Sequence, residues 1–229
     1  MILRRLTQHV KDQNWTAIAL EFLIVVLGVF LGLQASNWNE IRQLSARETV
    51  LKSQLITDVN LILDETREKI ALLEGSSSDI EWLRAAFAQP DVSLTEDDLE
   101  RHRSILHLPT PTERSPAYLE AQNSGGLSLI KDADLRTALV KWDRLMETTD
   151  TTQLAIREYS RAYIGAIVRL SSLHGVVPID EALEQSGSRY EFIIALSTLQ
   201  NVHGASLFMF HEIETESEAL LAALKGEQG

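Results

Sequence analysis

From Thr16 to Asn39 the chain reads TAIALEFLIVVLGVFLGLQASNWN, uncharged apart from Glu21. Few environments accept so long an apolar run. In water it must be buried inside a large core, whereas a helix of about 20 such residues crosses the roughly 30 Å hydrocarbon layer of a bilayer with every backbone group satisfied. Trp15 to Trp38 covers about 34 Å at about 1.5 Å per residue. The two tryptophans stand where an interfacial aromatic belt places them. The run therefore predicts one transmembrane helix over residues 15–38, with Trp15 and Trp38 as interfacial anchors, a basic tail over 1–14 and a domain over 39–229.

Arg4, Arg5 and Lys11 precede the run as in a secretory leader. The apolar stretch is longer than a leader core, however, and ends in Trp38-Asn39-Glu40 instead of a small-residue cleavage site. An uncleaved anchor is expected. Arg42, Arg47 and Lys52 nearly balance the three basic residues of the tail. Large domains cross regardless of their charge, while a short basic tail resists export, so the expected orientation has the amino terminus in the cytoplasm. The chain would then lie in the inner (cytoplasmic) membrane of a Gram-negative cell, with its domain in the periplasm.

Glu21 has two readings. A carboxyl in a span is by default a functional group with a partner. Placed so near Trp15, it also reaches the interface by snorkelling or is neutralised by a proton. What shares its face bears on the choice. At about 100° per residue, Glu21, Val25, Gly28, Gly32, Ala35 and Asn39 fall within roughly 40° of one line. Among lipid tails no hydrophobic force draws helices together, so a glycine groove that lets backbones approach, with polar groups at its ends, is an association face.

No proline or glycine interrupts the chain from Gln34 to Glu74. Ile41, Leu44, Leu51, Leu55, Val59, Ile62, Ile70 and Leu73 recur at three- and four-residue steps, so the helix is expected to continue to about Glu74. Leu44, Leu51, Leu55 and Ile62 lie roughly 120° to 160° from the glycine line, turned toward the domain. Gly75-Ser-Ser-Ser78 is expected to break this helix and cap a short one over 79–89 that ends at Pro90. Ser93 or Thr95 would cap a third, ending before Pro109. Ser115 followed by Pro116 predicts a helix through Asn123 closed by Ser124-Gly-Gly. Long helices follow from about Ala133 to Leu173 and from Ser188 to about Lys225, with a short piece near 180–185. With five prolines and eleven glycines in 229 residues, the expected fold is all-α: a transmembrane helix continuing as a long helix into an up-and-down helical bundle.

Two motifs resemble those of a bacterial family of small single-pass membrane proteins of unknown function. One is an apolar segment led by Glu21 and closed by Gln34-Ala-Ser-Asn37-Trp38-Asn39-Glu40. The other is Tyr118 with Ser124-Gly125, Leu127 and Ile130 leading into a helix with Leu135 and Arg136. Ala121 departs from the Leu expected there. The resemblance covers about a fifth of the chain; it implies a single anchor and a helical domain, and brings no activity with it.

Net charge is −12. Residues 1–40 are neutral in sum, so the acid excess lies wholly in the domain, which nucleic acid and anionic lipid would repel. The absence of cysteine excludes disulfides and thiolate chemistry. His203 and His211 lack the i, i+3 or i, i+4 pairing of a helical metal site, and His102, His107 and His174 adjoin helix ends. No phosphate loop or nucleophile elbow occurs. Trp82, Trp142, Tyr159, Tyr163, Phe192, Phe208 and Phe210 are expected to be mostly core, although Phe208 and Phe210 cannot share one face.

These observations lead to a non-enzymatic interaction or scaffold protein without cofactor. Its expected partners are membrane lipid and either further copies of itself, as a homo-oligomer, or other membrane proteins, but no nucleic acid. The alternative is a ligand-sensing bundle that signals through a partner subunit.

Overall fold

The computed structural model describes residues 15–89, 101, 104–106, 108, 110, 112–174, 181 and 189–226, without the side chains of 15–18, 162, 166 and 170–174. The tail over 1–14, most of the helix expected from Ser93 or Thr95 and nearly all of the piece near 180–185 lie outside these residues. Among the described residues the fold is all-α, with no strand. Helix α1 covers Trp15–Phe87, α2 Pro116–Ser124, α3 Ala133–His174 and α4 Arg189–Lys225, with a 3-10 turn over Gly126–Leu129 between α2 and α3. The chain divides after Val50 into two compact units.

In the first unit every described side chain from Ala19 to Arg47 is exposed. Ile41 and Leu44, expected to belong to the amphipathic pattern, are exposed with the rest. Burial begins at Leu51.

The second unit is a helical bundle with two apolar clusters along its length. The larger gathers Leu55, Val59, Ile62 and Leu73 of α1, Tyr118 of α2, Leu139, Trp142 and Met146 of α3, and Phe210, Ile213 and Leu220 of α4. The smaller holds Ile80, Leu83 and Phe87 of α1, Ile167 of α3, and Phe192, Leu196 and Leu199 of α4. Residue numbers rise from the first cluster to the second along α1 and α3 and fall along α4, so α4 runs opposite to the other two. Pairings along α4 fit this order. Phe87 meets Phe192 edge to face at 4.5 Å, whereas Arg67 pairs with Glu214 at 2.9 Å.

Gly75 to Ser78 do not break α1, which passes through them to Phe87. The reason is register: Leu73, Ser76, Ile80, Leu83 and Phe87 step by three and four along one buried line. Ser76 Oγ also donates to the Ser104 carbonyl at 3.1 Å. Burial of that line outweighs the helix penalty of one glycine, about 1 kcal/mol. Gly75 itself is exposed, and a β-carbon there would touch nothing within 4 Å. Gly75→Ala is expected to raise stability by about 0.5–1 kcal/mol, since it removes backbone freedom from the unfolded chain at no steric cost. Urea unfolding followed by circular dichroism checks this, and a loss of stability would argue for a break at this point.

The start of α2 follows from its sequence. Ser115 Oγ accepts from the Tyr118 amide at 3.1 Å, Pro116 takes the first turn, and Gly125 closes the helix at φ 75°. Asp58 of α1 completes the cap, accepting from Ser115 Oγ at 2.7 Å and from the Ala117 amide at 2.9 Å. Asp132 Oδ1 caps α3 through the amides of Asp134 and Leu135.

Aromatic placement follows helix rotation. Phe210 is fully buried and Phe208 is 70% exposed, as their two-residue spacing requires. Trp142 and Phe192 are core, but Tyr159 is exposed and Trp82 is partly so, with the Arg101 guanidinium 4.8 Å from its ring.

Candidate functional site

The residues expected to form the association face all lie on α1, which has no proline between Trp15 and Phe87. Regular helical geometry keeps Glu21, Val25, Gly28, Gly32, Ala35 and Asn39 on one line. All six are exposed. At Gly28 and Gly32 an added β-carbon would meet nothing within 4 Å, so the groove between neighbouring ridges is open. Ile24 and Leu31 flank it on one side and Phe22 and Val29 on the other, each more than half exposed. Trp38 is 63% exposed, and the Arg42 guanidinium one turn later lies 5.2 Å from its ring centroid. That stack binds a cation to the aromatic at the end of the apolar stretch, a contact the i, i+4 spacing offers. The side chain of Trp15 lies outside the described residues.

Among the described residues two helices are long and apolar enough to cross a membrane by length and composition. None of the apolar stretch of α1 is buried, whereas α4 carries core side chains of both clusters.

The polar groups of the bundle serve its architecture. Arg114, just before α2, grips Asp143 of α3 with two nitrogens, Nε to Oδ1 at 2.8 Å and Nη2 to Oδ2 at 2.5 Å. Its hydrogen bond to Asp143 raises the Arg114 pKa further. Burial, with Asp143 nearby, pushes the Tyr118 hydroxyl up as well. The Lys69 ammonium is buried between Glu65 at 2.6 Å and Thr112 at 2.9 Å. Arg67 holds Glu214 below its ordinary carboxylate range, and its second nitrogen reaches Glu218 at 2.5 Å. An open cleft of about 170 Å³ between α1 and the start of α2 is lined by Asp58, Glu65 and Arg114 among others, whose polar atoms these contacts already engage.

Between the two apolar clusters lies a buried polar layer that periodicity did not reveal: Ser76 of α1, Thr149, Gln153 and Ser160 of α3, and His203 and Ser206 of α4. Ser206 Oγ and Gln153 Oε1 are 3.4 Å apart. Gln153 Nε2, Gln200 Oε1 and both ring nitrogens of His203 are buried without a hydrogen-bond partner. Burial alone drives the His203 pKa down to about 4. His211, by contrast, is exposed beside Glu214 at 3.4 Å. Among the described residues no group of three His, Asp or Glu side chains is placed to hold a metal ion. His102, His107 and the side chain of His174 lie outside them.

No family model, curated protein or solved structure matches the chain.

Proposed function

We propose that the chain is a single-pass membrane protein that works as an interaction or scaffold component, not an enzyme, and associates through the face formed by Glu21, Val25, Gly28, Gly32, Ala35 and Asn39. One observation carries this reading: the stretch from Ala19 to Trp38 is apolar, continuously helical and wholly exposed. Water does not tolerate such a surface, and nothing among the described residues covers it. Lipid does tolerate it. In the proposed orientation the amino terminus is cytoplasmic and the bundle periplasmic, held at the inner membrane.

Within lipid the face offers close backbone approach at Gly28 and Gly32 and polar contacts at both ends, from Glu21 and Asn39. A second copy of the chain presents the same groove, so a homo-oligomer satisfies it; another membrane protein with small residues at the same spacing does so equally. The motifs around Glu21 and from Gln34 to Glu40 point the same way through the family they resemble. Replacing Gly28 and Gly32 together by Ile in the full-length chain is expected to reduce the oligomer in mild detergent to monomer, read by light scattering. If size and co-purifying partners are both unchanged, this face is not the one used.

A further inference from the structure

We propose that the end of the bundle built on the smaller cluster opens as a unit of its own, parting from the larger cluster along the buried polar layer at Gln153, His203 and Ser206, and that acid favours the open form. This concerns the bundle alone and holds whichever face α1 uses. The first observation is a gap in the core. Leu73 of α1, Met146 of α3 and Phe210 of α4 are the last buried apolar residues of the larger cluster. Ile80, Ile167 and Leu199 are the first of the smaller. Between these bounds the buried side chains are Ser76 of α1, Thr149, Gln153 and Ser160 of α3, and Val202, His203 and Ser206 of α4. Among the described residues Val202 alone of these is apolar. The apolar contact that makes a bundle one cooperative body is therefore interrupted at this level.

The second observation is that the layer is poorly bonded. Ser206 Oγ and Gln153 Oε1 stand 3.4 Å apart, at the limit of a hydrogen bond. Gln153 Nε2, Gln200 Oε1 and both ring nitrogens of His203 give up their water on closing and gain no bond in return. Opening restores that water, so the layer favours parting where the clusters on either side favour packing. Stronger ties lie to one side of the seam or the other. Trp142 to Ser217 and Arg67 to Glu214 are within the larger end, and Phe87 on Phe192 and Arg189 to the Gln89 carbonyl are within the smaller.

His203 couples the seam to pH. Sealed in the closed layer, the imidazole stays neutral well below its ordinary range, because burial is all that acts on it. The ionisable groups nearest its level are Asp150 and Arg157 of α3 and Asp79 of α1, each half-buried. Arg157 donates to the Leu108 carbonyl, and Asp79 accepts from Ser104 Oγ. The described residues between 104 and 112 carry no ionisable group, and α4 has none from Phe192 to Phe210 besides His203 itself. Once the layer opens, water reaches the ring and it takes a proton in its ordinary range, so protons favour the open form.

Hydrogen exchange of the full-length chain in mild detergent, read by mass spectrometry and corrected for intrinsic amide rates, tests this on helix ends of both clusters. At pH 7 the amides of 80–87 and 192–199 are expected to be protected roughly tenfold less than those of 135–142 and 217–224. Added urea should lower protection at the smaller end with a shallower slope than at the larger end, because less surface is exposed there. Equal slopes would mean one cooperative bundle, and no slope would mean fraying of single helices; either overturns the inference. From pH 7 to pH 5, protection of the smaller end is expected to fall roughly twentyfold, the ratio set by a ring that titrates near 6.5 when open and about 4 when closed. His203→Leu and His203→Asn, which carry no titrating group, are each expected to abolish that fall, and His203→Leu should also raise protection of the smaller end at pH 7. An acid effect that is absent in the unaltered chain, or that survives both substitutions, removes the seam from His203 and the inference with it.

Discussion

Acidification from pH 7 to pH 4 is expected to remove about 3 kcal/mol of folding stability through His203 alone. Burial holds the folded His203 near a pKa of about 4, while in the unfolded chain it titrates at its ordinary 6.5. Between those values the unfolded state binds a proton that the folded state refuses, so stability falls as pH falls. Above pH 6.5 both states are neutral, and below about 4 both are charged, so the dependence is confined to that window. At about 1.4 kcal/mol per unit the difference amounts to roughly 3 kcal/mol.

Glu214 acts in a lower window. Arg67 depresses its pKa, so its contribution is complete above its unfolded value of 4.5 and is lost as pH falls through the lower folded value. His203→Leu, a swap of similar volume, is therefore expected to flatten urea-unfolding midpoints between pH 6.5 and 4.5. At pH 7 it should leave stability equal or higher, because it removes two buried nitrogens that have no partner. A variant with the unaltered slope in this window would mean that the imidazole reaches solvent or a proton acceptor in the folded protein.

His203 also shows where sequence reading stops. Its spacing from His211 disfavours a metal pair, but a 3.6-residue period says only which face a side chain takes, not what meets it there. The polar layer arises because Gln153 and Ser206, far apart in sequence, are brought to one level by α3 and α4 running in opposite directions. Helix order along the bundle is a tertiary fact, and the ion pairs depend on it equally: Arg67 and Glu214 are separated by 147 positions. Local chemistry was more legible. Ser115, Pro116 and Gly125 mark the bounds of α2 to within a residue, because capping is decided by neighbours in the chain. Gly75 is the converse case, where a local signal for a break yields to the buried line from Leu73 to Phe87. For the face on α1, the rotation of the sequence already places Glu21, Gly28 and Asn39 together. The structure adds that the whole stretch is helical and uncovered.

Arg114→Met is expected to cost about 2–3 kcal/mol, and most of that loss should return when Asp143→Leu is added. The Asp143 side chain is only 7% exposed, and both of its oxygens are engaged by Arg114. Removing the guanidinium leaves a carboxylate in a site that water barely reaches, near Tyr118 of the larger cluster. Breaking a buried pair from one side typically costs about 3–5 kcal/mol. The lower figure is expected here because Arg114 keeps 27% of its side chain in solvent, and Glu147, 3.7 Å away, is 64% exposed. The double substitution leaves no orphaned charge and fills the same space with apolar atoms, so it recovers stability even though it makes no hydrogen bond. A double-mutant cycle from urea midpoints measures the difference. Equal losses in single and double variants would show that the Arg114 stem, by packing, holds the start of α2 to α3, and that the charge pair contributes little to the joint.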